Sequence, residues 1–212
     1  MQATTPPDYP IRFDLERELG ARNRLAVAFR IILAIPILIL LGTVSGGAIS
    51  GARDNGAVTV AGAGGLLFAG PLLMILFRQK YPRWWFDWNL ALWKFENRVA
   101  AYMLLLRDEY PATDEEQAVR LEVEYPDVPR ELNRWLPLVK WFLAIPHLIV
   151  LLFVDIALFF VVVYAWFAIL LTGAYPAGAQ EFAIGVMRWH NRVVAYAFTL
   201  VTDRYPPFRL AP

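Results

Sequence analysis

The sequence predicts an α-helical integral membrane protein made of two tandem repeats, each with a strand, a transmembrane helical hairpin and an interfacial amphipathic helix. Of its 212 residues, 58% are hydrophobic, and the mean hydropathy of +0.43 exceeds that of a typical soluble domain. Residues 135–171 form an apolar run in which the only acidic, basic or imidazole side chains are Lys140, His147 and Asp155. Short motifs of the first half recur in the same order in the second half. These observations predict four membrane spans and a small two-stranded ribbon.

The first repeat is predicted over residues 9–111, after a polar tail at residues 1–8. Residues 11–16 alternate apolar and charged side chains, which is typical of a half-buried strand. Two apolar runs follow, separated by a segment rich in Gly and Ser, and they predict a transmembrane hairpin over residues 25–77. Glycines in the second run favour close helix packing.

Residues 84–106 predict the first amphipathic helix. Asp87, Lys94, Asn97 and Arg98 fall on one face at helical spacing, while Trp and Leu occupy the other positions. Such a helix is too charged to cross a bilayer and too apolar to leave in water. We therefore expect it to lie flat at the membrane interface. The alternative is an ordinary amphipathic helix packed on a soluble core, which is less favoured because the sequence shows no such core.

The second repeat is predicted over residues 112–212, with a strand at 120–124 and a hairpin at 135–172. A single helix through the hairpin segment would be about 55 Å long against about 30 Å of hydrocarbon, so two antiparallel helices are expected, with Asp155 near the turn. A shallow hairpin that does not fully cross is the alternative. Residues 181–201 predict a second amphipathic helix with the same polar spacing as the first.

Four matches relate the two halves. Leu33–Pro36 recurs as Leu143–Pro146 with Arg30 matching Lys140, and Tyr81-Pro82 recurs as Tyr175-Pro176. The motif at 97–102 recurs at 191–196, and the two predicted strands also match. Because a pseudo-two-fold axis would bring the strands together, they are expected to pair antiparallel. Their apolar residues should share the buried face: Phe13, Leu15, Leu121 and Val123.

The charge distribution predicts the location and excludes some partners. The Gly-rich loop holds one of the 20 Lys and Arg residues, Arg53, so both termini and the central segment are expected in the cytoplasm of a multi-pass cell-membrane (inner-membrane) protein. A net charge of +1 argues against a nucleic-acid partner. The absence of cysteine excludes disulfides and thiolate metal sites.

Candidate contacts with lipid or a partner protein lie on the two amphipathic helices: Lys94, Asn97, Arg98, Arg188, Asn191 and Arg192. A purely solvated face explains the polar positions of the first helix equally well. The recurrence of Asn-Arg in both halves favours a structural role, such as a hydrogen bond to a strand or a helix end. His147 and Asp155 form the candidate intramembrane polar site. Their structural alternatives are a polar contact near Pro146 and a turn residue at the outer interface. We find no pattern for a catalytic, cofactor or metal site, and a haem between His147 and His190 lacks support.

The second half resembles the domain of unknown function 4389 family of bacterial and archaeal membrane proteins. The resemblance is carried by the motifs at 140–147, 165–176, 188–196 and 202–208, and it extends more loosely to the first half. There Ile37 replaces the histidine of the first motif, and Glu109 interrupts the last one. The resemblance implies a tandem membrane unit and supplies no activity or catalytic residues.

Three classes of function are compatible with the sequence. The preferred one is a non-enzymatic membrane module that acts as an accessory or scaffold subunit of a larger membrane complex, or that organises lipid. A small transporter or channel built from the duplicated hairpins is the alternative. A membrane enzyme acting on lipid is third, because it would need clustered polar residues that the pattern lacks.

Overall fold

A computed structural model describes residues 9–16, 22–44, 63–113 and 115–211. The predicted polar tail and most of the Gly-rich loop lie outside these residues. Within them the chain forms two strands, seven α-helices and one π-helical turn. In chain order these are β1 Ile11–Leu15, α1 Arg24–Ala28, α2 Arg30–Val44, α3 Ala63–Arg78, α4 Arg83–Met103, β2 Val119–Val123, α5 Val128–Glu131, α6 Pro137–Thr172, α7 Ala177–Val193 and the π turn Val194–Phe198.

The two strands pair with each other, as the sequence predicts. They run antiparallel with Phe13 opposite Leu121, so that Arg12 faces Glu122 and Asp14 faces Arg120. The apolar side chains of both strands lie on the buried face and the charged ones point to solvent. Because an isolated two-stranded ribbon is marginal in water, the ribbon depends on α4 and α7, against which it packs.

The hairpin predicted over residues 135–172 is wrong. Residues 137–172 form one continuous helix, α6, which is 36 residues long and therefore about 54 Å in length. Pro137 lies in its first turn, and Gly173 ends it with a left-handed φ of 78° while donating its N–H to the carbonyl of Ile169. Between Pro146 and Gly173 no Pro or Gly interrupts the backbone hydrogen bonds, so Asp155 lies in the middle of a helix and not at a turn.

The four-span tandem-repeat fold is also wrong. Among the described residues, α6 alone is long and apolar enough to cross a membrane. Within the described residues, the predicted first span is divided at Phe29 into α1 and α2, and α2 and α3 contain 15 and 16 residues, fewer than the about 20 of a span. The predicted boundary between residues 111 and 112 is not tested by this finding and stays a prediction.

The two amphipathic segments are helical, as predicted. The apolar face of α4 packs on α2 through Phe95 and Val99, and that of α7 packs on α6 through Trp189 and Val193. A leucine with positive φ lies two residues beyond the end of each helical segment. Leu105 (φ 60°) follows α4, and Leu200 (φ 56°) follows the π turn. The stretch from Asn191 to Leu200 is one residue longer than the matching stretch from Asn97 to Leu105. The π turn, which lies between α7 and Leu200, accommodates this extra residue.

Candidate functional site

The most unusual surface of the molecule is the outward face of α6. Only 17% of its most apolar 18-residue window is buried inside the protein. The exposed large apolar side chains continue from the first turn to the last: Leu138, Val139, Trp141, Phe142, Leu143, Ile145, Leu148, Ile149, Val150, Leu152, Phe153, Ile156, Phe159, Phe160, Val163, Tyr164, Phe167 and Leu171. We call this the α6 outward face. A soluble monomer rarely exposes an apolar surface of this extent.

The opposite side of α6 is covered by protein along its whole length. Its buried positions are spaced three, four or seven residues apart: Pro137, Lys140, Ala144, His147, Leu151, Leu158, Ala165 and Ile169. The C-terminal tail and α7 cover the first half, α3 covers the middle, and α1 covers the end. At that end Trp166 donates its indole N–H to the carbonyl of Val27, 3.0 Å away. The helix is therefore protein-lined on one side and apolar and exposed on the other.

Asp155, a candidate intramembrane residue, lies at the midpoint of α6 and contacts α7. Its Oδ2 is 3.3 Å from Nε2 of His190, and the two side chains are 42% and 43% exposed. The Nδ1 atom of His190 is 3.1 Å from the carbonyl oxygen of Val186. The only acidic side chain of α6 is thus engaged at the edge of the helix, where α7 and solvent meet.

His147, the other candidate, is fully buried beneath the C-terminal tail. Trp189 donates its indole N–H to Nδ1 over 3.1 Å, so Nε2 carries the proton of the neutral ring. Phe208 stacks on the imidazole with ring centroids 3.8 Å apart, and Tyr205 donates its hydroxyl to the carbonyl of Leu143. The structure engages His147 and His190 with different partners and does not bring them together. No group of three or more metal-binding side chains occurs in the described part of the chain.

Asn97 and Asn191 meet in the interior of the protein. Each donates its amide N–H to the other's carbonyl oxygen, over 2.9 Å and 2.7 Å, and the side chains are 6% and 3% exposed. These two residues occupy matched positions in α4 and α7. The sequence singles them out as candidate lipid or partner contacts, whereas the structure uses them to join the two amphipathic helices.

The matched arginines that follow them, Arg98 and Arg192, are also buried. Arg98 donates to the carbonyl of Ala112, and Arg192 donates to those of Ala211 and Arg209. Each therefore holds the segment that follows its own helix. Burial, helped by the neighbouring Arg209, lowers the pKa of Arg192 to about 10.

The two remaining candidates lie nearer the surface. Arg188 pairs with Glu181, which lies seven residues earlier on the same face of α7, with Nη1 3.5 Å from Oε1. Lys94 lines an open groove of about 580 Å³ between α4 and the ribbon. Four basic and four acidic side chains line this mixed-charge groove: Lys94, Arg98, Arg107, Arg120, Glu16, Glu109, Glu116 and Glu122.

Two buried cations, Arg30 and Lys140, lie at the starts of α2 and α6. In the sequence, their matched positions in the two halves were the only sign of this role. In the Arg30 cluster, Arg30 pairs with Asp108 and lies 4.0 Å from the ring centroid of Tyr102. The corresponding Lys140 cluster consists of Lys140, Asp203 and Tyr196. The sequence pattern did not single out the two aspartates, although each stands two residues before a recurring Tyr-Pro pair, Tyr110-Pro111 and Tyr205-Pro206. Each cluster ties an apolar helix to the end of an amphipathic one.

A family model described as Domain of unknown function (DUF4389) matches residues 135–209. The matched segment contains α6, α7, the π turn and the tail that covers His147. No curated protein and no solved structure gives a significant match to the chain.

Proposed function

Residues 135–209 belong to the DUF4389 family, whose function is unknown, and from the geometry of the chain we propose that it is a non-enzymatic membrane-docking module. In this proposal the α6 outward face contacts lipid. The polar surface on the other side, formed by the ribbon and the mixed-charge groove, serves an accessory or scaffold role for another membrane subunit.

The α6 outward face is the observation that carries the proposal. Fully exposing a Leu, Ile or Phe side chain to water costs about 1.5–3 kcal/mol relative to burying it. Many such side chains along one helix make a soluble monomeric state costly, whereas hydrocarbon satisfies all of them at once. No acidic or basic group interrupts this face, since Lys140 is buried and Asp155 is engaged at its edge.

The mixed-charge groove supports a polar protein partner in preference to a polyanion. It presents equal numbers of basic and acidic side chains, so a strongly charged ligand of either sign would meet like charges. A polar segment of another subunit, with charges of both signs, complements it better.

The proposed location is the cytoplasmic side of the cell membrane, with both termini in the cytoplasm. Its support is that 19 of the 20 Lys and Arg residues lie outside the Gly-rich loop, since basic side chains favour the anionic cytoplasmic leaflet. The multi-pass arrangement is not retained, because it depended on the four-span fold. The transporter alternative gains no specific support, since His147 and Lys140, the polar side chains buried along α6, are engaged in contacts within the protein.

Flotation with liposomes tests the lipid contact. Wild-type protein released from detergent should float with vesicles, and replacing two residues of the α6 outward face, Phe153→Lys and Phe160→Lys, should reduce the floating fraction at least about tenfold. The ribbon variant Glu122→Gln/Glu124→Gln adds the same two units of positive charge and should float like wild type. A wild-type protein that stays soluble and monomeric without vesicles would contradict the proposal.

Co-purification in mild detergent tests the scaffold role. A stoichiometric subunit that accompanies wild type and is lost from the groove variant Lys94→Glu/Arg120→Glu supports it. A lone protein carrying lipid would favour lipid organisation instead. A homo-oligomer with a bound solute would favour the transporter.

A further inference from the structure

We propose that α6 lies in the plane of the membrane, embedded in one leaflet along its α6 outward face, and does not cross the bilayer. This inference rests on the proposed membrane function and specifies how the surface is used. The bound surface is a lipid leaflet with anionic headgroups, and three independent features of the structure lead to it.

The first feature is length. The exposed apolar side chains extend from Leu138 to Leu171, which corresponds to about 50 Å of helix, while the hydrocarbon of a bilayer is about 30 Å thick. Immersing this face in a crossing orientation would need a tilt of more than about 50°, beyond the range of about 0–40° seen for transmembrane helices. An in-plane helix immerses the entire face without a limit on its length.

The second feature is the polar chemistry beside the midpoint of α6. The Asp155–His190 pair lies there with both side chains about two-fifths exposed, and α7 also carries the Glu181–Arg188 pair. In a crossing helix this region would be at the centre of the bilayer, where exposed ionisable groups are strongly disfavoured. In the in-plane orientation α7 lies on the water side of α6, so these groups stay hydrated.

The third feature is that basic side chains flank both ends of α6. Arg24 packs over Gly173 at the C-terminal end. Arg134, just before the N-terminal end, donates to the carbonyl of Phe77 over 3.2 Å. A crossing helix would place one of these exposed arginines on each side of the membrane, against the usual charge asymmetry. An in-plane helix brings both to the same anionic surface.

The same orientation also accommodates α2. Over Arg30–Val44 it exposes Ile31, Ile32, Ile35 and Ile39, while Ala34 and Ile37 pack against α4. A helix with one protein-facing side and one apolar exposed side is typical of an interfacial helix.

A depth profile along α6 tests the inference. The chain contains no cysteine, so single spin labels can be attached to Phe142→Cys, Phe153→Cys and Phe167→Cys in the full-length protein. The label is read in vesicles of phosphatidylcholine and phosphatidylglycerol. The three depths should agree within about one helix turn, about 5 Å. A label at Glu122→Cys on the ribbon should be water-exposed and serves as the control.

The possible outcomes separate the two proposals. A profile deepest at residue 153 and shallow at 142 and 167 would overturn the in-plane orientation while leaving membrane docking intact. Water exposure of all three labels would overturn both. As a second measurement, the exposed arginines beside the two ends of α6 are replaced one at a time, Arg134→Cys and Arg24→Cys. Both cysteines should react with an impermeant maleimide from the same side of sealed vesicles. Reaction from opposite sides would also overturn the in-plane orientation.

Discussion

The Arg30 cluster and the Lys140 cluster have the same arrangement but differ in how many cations can pair with the aspartate. Each buries a cation at the start of an apolar helix, pairs it with an aspartate and places it near a tyrosine ring. Asp108 has a second cation in reach, since Arg22 Nη2 lies 3.8 Å from its Oδ1. Lys140 instead divides its bonds between Asp203 and the carbonyl of Thr202, both 2.7 Å away. The comparison shows that the first cluster has a spare cation, whereas the second depends on one lysine.

A second difference lies two helix turns, seven residues, further along each apolar helix. Ile37 packs on α4 in the first half, and the matched position in the second half is His147. Trp189 donates to its Nδ1, and Phe208 of the tail after α7 stacks on the ring. Its buried Nε2 has no hydrogen-bond partner among the described residues, so the ring is only partly satisfied.

Removing the cation should lower the free energy of unfolding more at the Lys140 cluster than at the Arg30 cluster. Lys140→Met leaves Asp203 without its cation and should lower the free energy of unfolding by about 3 kcal/mol. Arg30→Met should cost about half as much, because Arg22 can still pair with Asp108. Urea denaturation in mild detergent measures both. Equal losses would show that Arg22 provides no reserve.

The Asn97–Asn191 pair joins the two halves, but in the part of the chain that the structure describes only Asn97 has a second partner, the carbonyl of Trp93 at 2.9 Å. Asn97→Leu leaves the buried amide of Asn191 without its partner and should cost about 2 kcal/mol. Asn191→Leu should cost less, because the Asn97 amide keeps its bond to Trp93. The double variant should lose less than the sum, since no amide remains unpaired. Additive losses in this double-mutant cycle would mean that the two side chains are not coupled.

Replacing His147 by isoleucine, the residue at the matched position of the first half, tests how much the contacts around His147 stabilise the fold. His147→Ile removes the acceptor of a buried indole N–H and should cost about 1–2 kcal/mol in unfolding free energy. Adding Trp189→Phe should recover part of that loss, because the unpaired donor is then gone. A further loss of stability in the double variant would show that packing on Phe208, and not the hydrogen bond, is decisive.

The smallest effect concerns the matched tyrosines Tyr81 and Tyr175, which should behave alike. Each donates its hydroxyl to a carbonyl at the end of the other half's amphipathic segment, that of Thr199 or Leu104. Burial raises the pKa of each from 10.0 to about 12. The neutral forms therefore stabilise the fold fully below pH 10, and this contribution is lost as pH rises from 10 to about 12.

Alkaline unfolding followed with tyrosinate absorbance measures this effect. Tyr81→Phe and Tyr175→Phe should each flatten the decline in stability between pH 10 and 12. Each should also cost about 1 kcal/mol at neutral pH from the lost hydrogen bond. A flatter decline in one variant only would separate the two halves.

The sequence by itself determined the elements whose pattern has a defined period. Strict alternation assigned Phe13 and Leu121 to the buried faces of β1 and β2, and the match between the strands predicted their antiparallel pairing, because a one-residue slip would expose both apolar sets. The helical character of α4 and α7 was likewise readable from polar side chains at helical spacing, although Asn97, Arg98, Asn191 and Arg192 of these stripes are buried. Asn97 and Asn191 were singled out as candidate lipid or partner contacts, with a structural hydrogen bond as the alternative, but the pattern did not show that they bond to each other.

The tertiary structure decided what periodicity could not. In α6 nearly every position is apolar, so the pattern cannot distinguish one long helix from two, and the length argument assumed that a membrane helix must cross. Asp155 suggested a turn, yet its partner His190 lies 35 positions away in the sequence and is brought near only by the packing of α7 on α6. The inward orientation of the Asn97–Asn191 pair has the same origin. Contacts between distant residues depend on how helices pack, and local composition does not encode that packing.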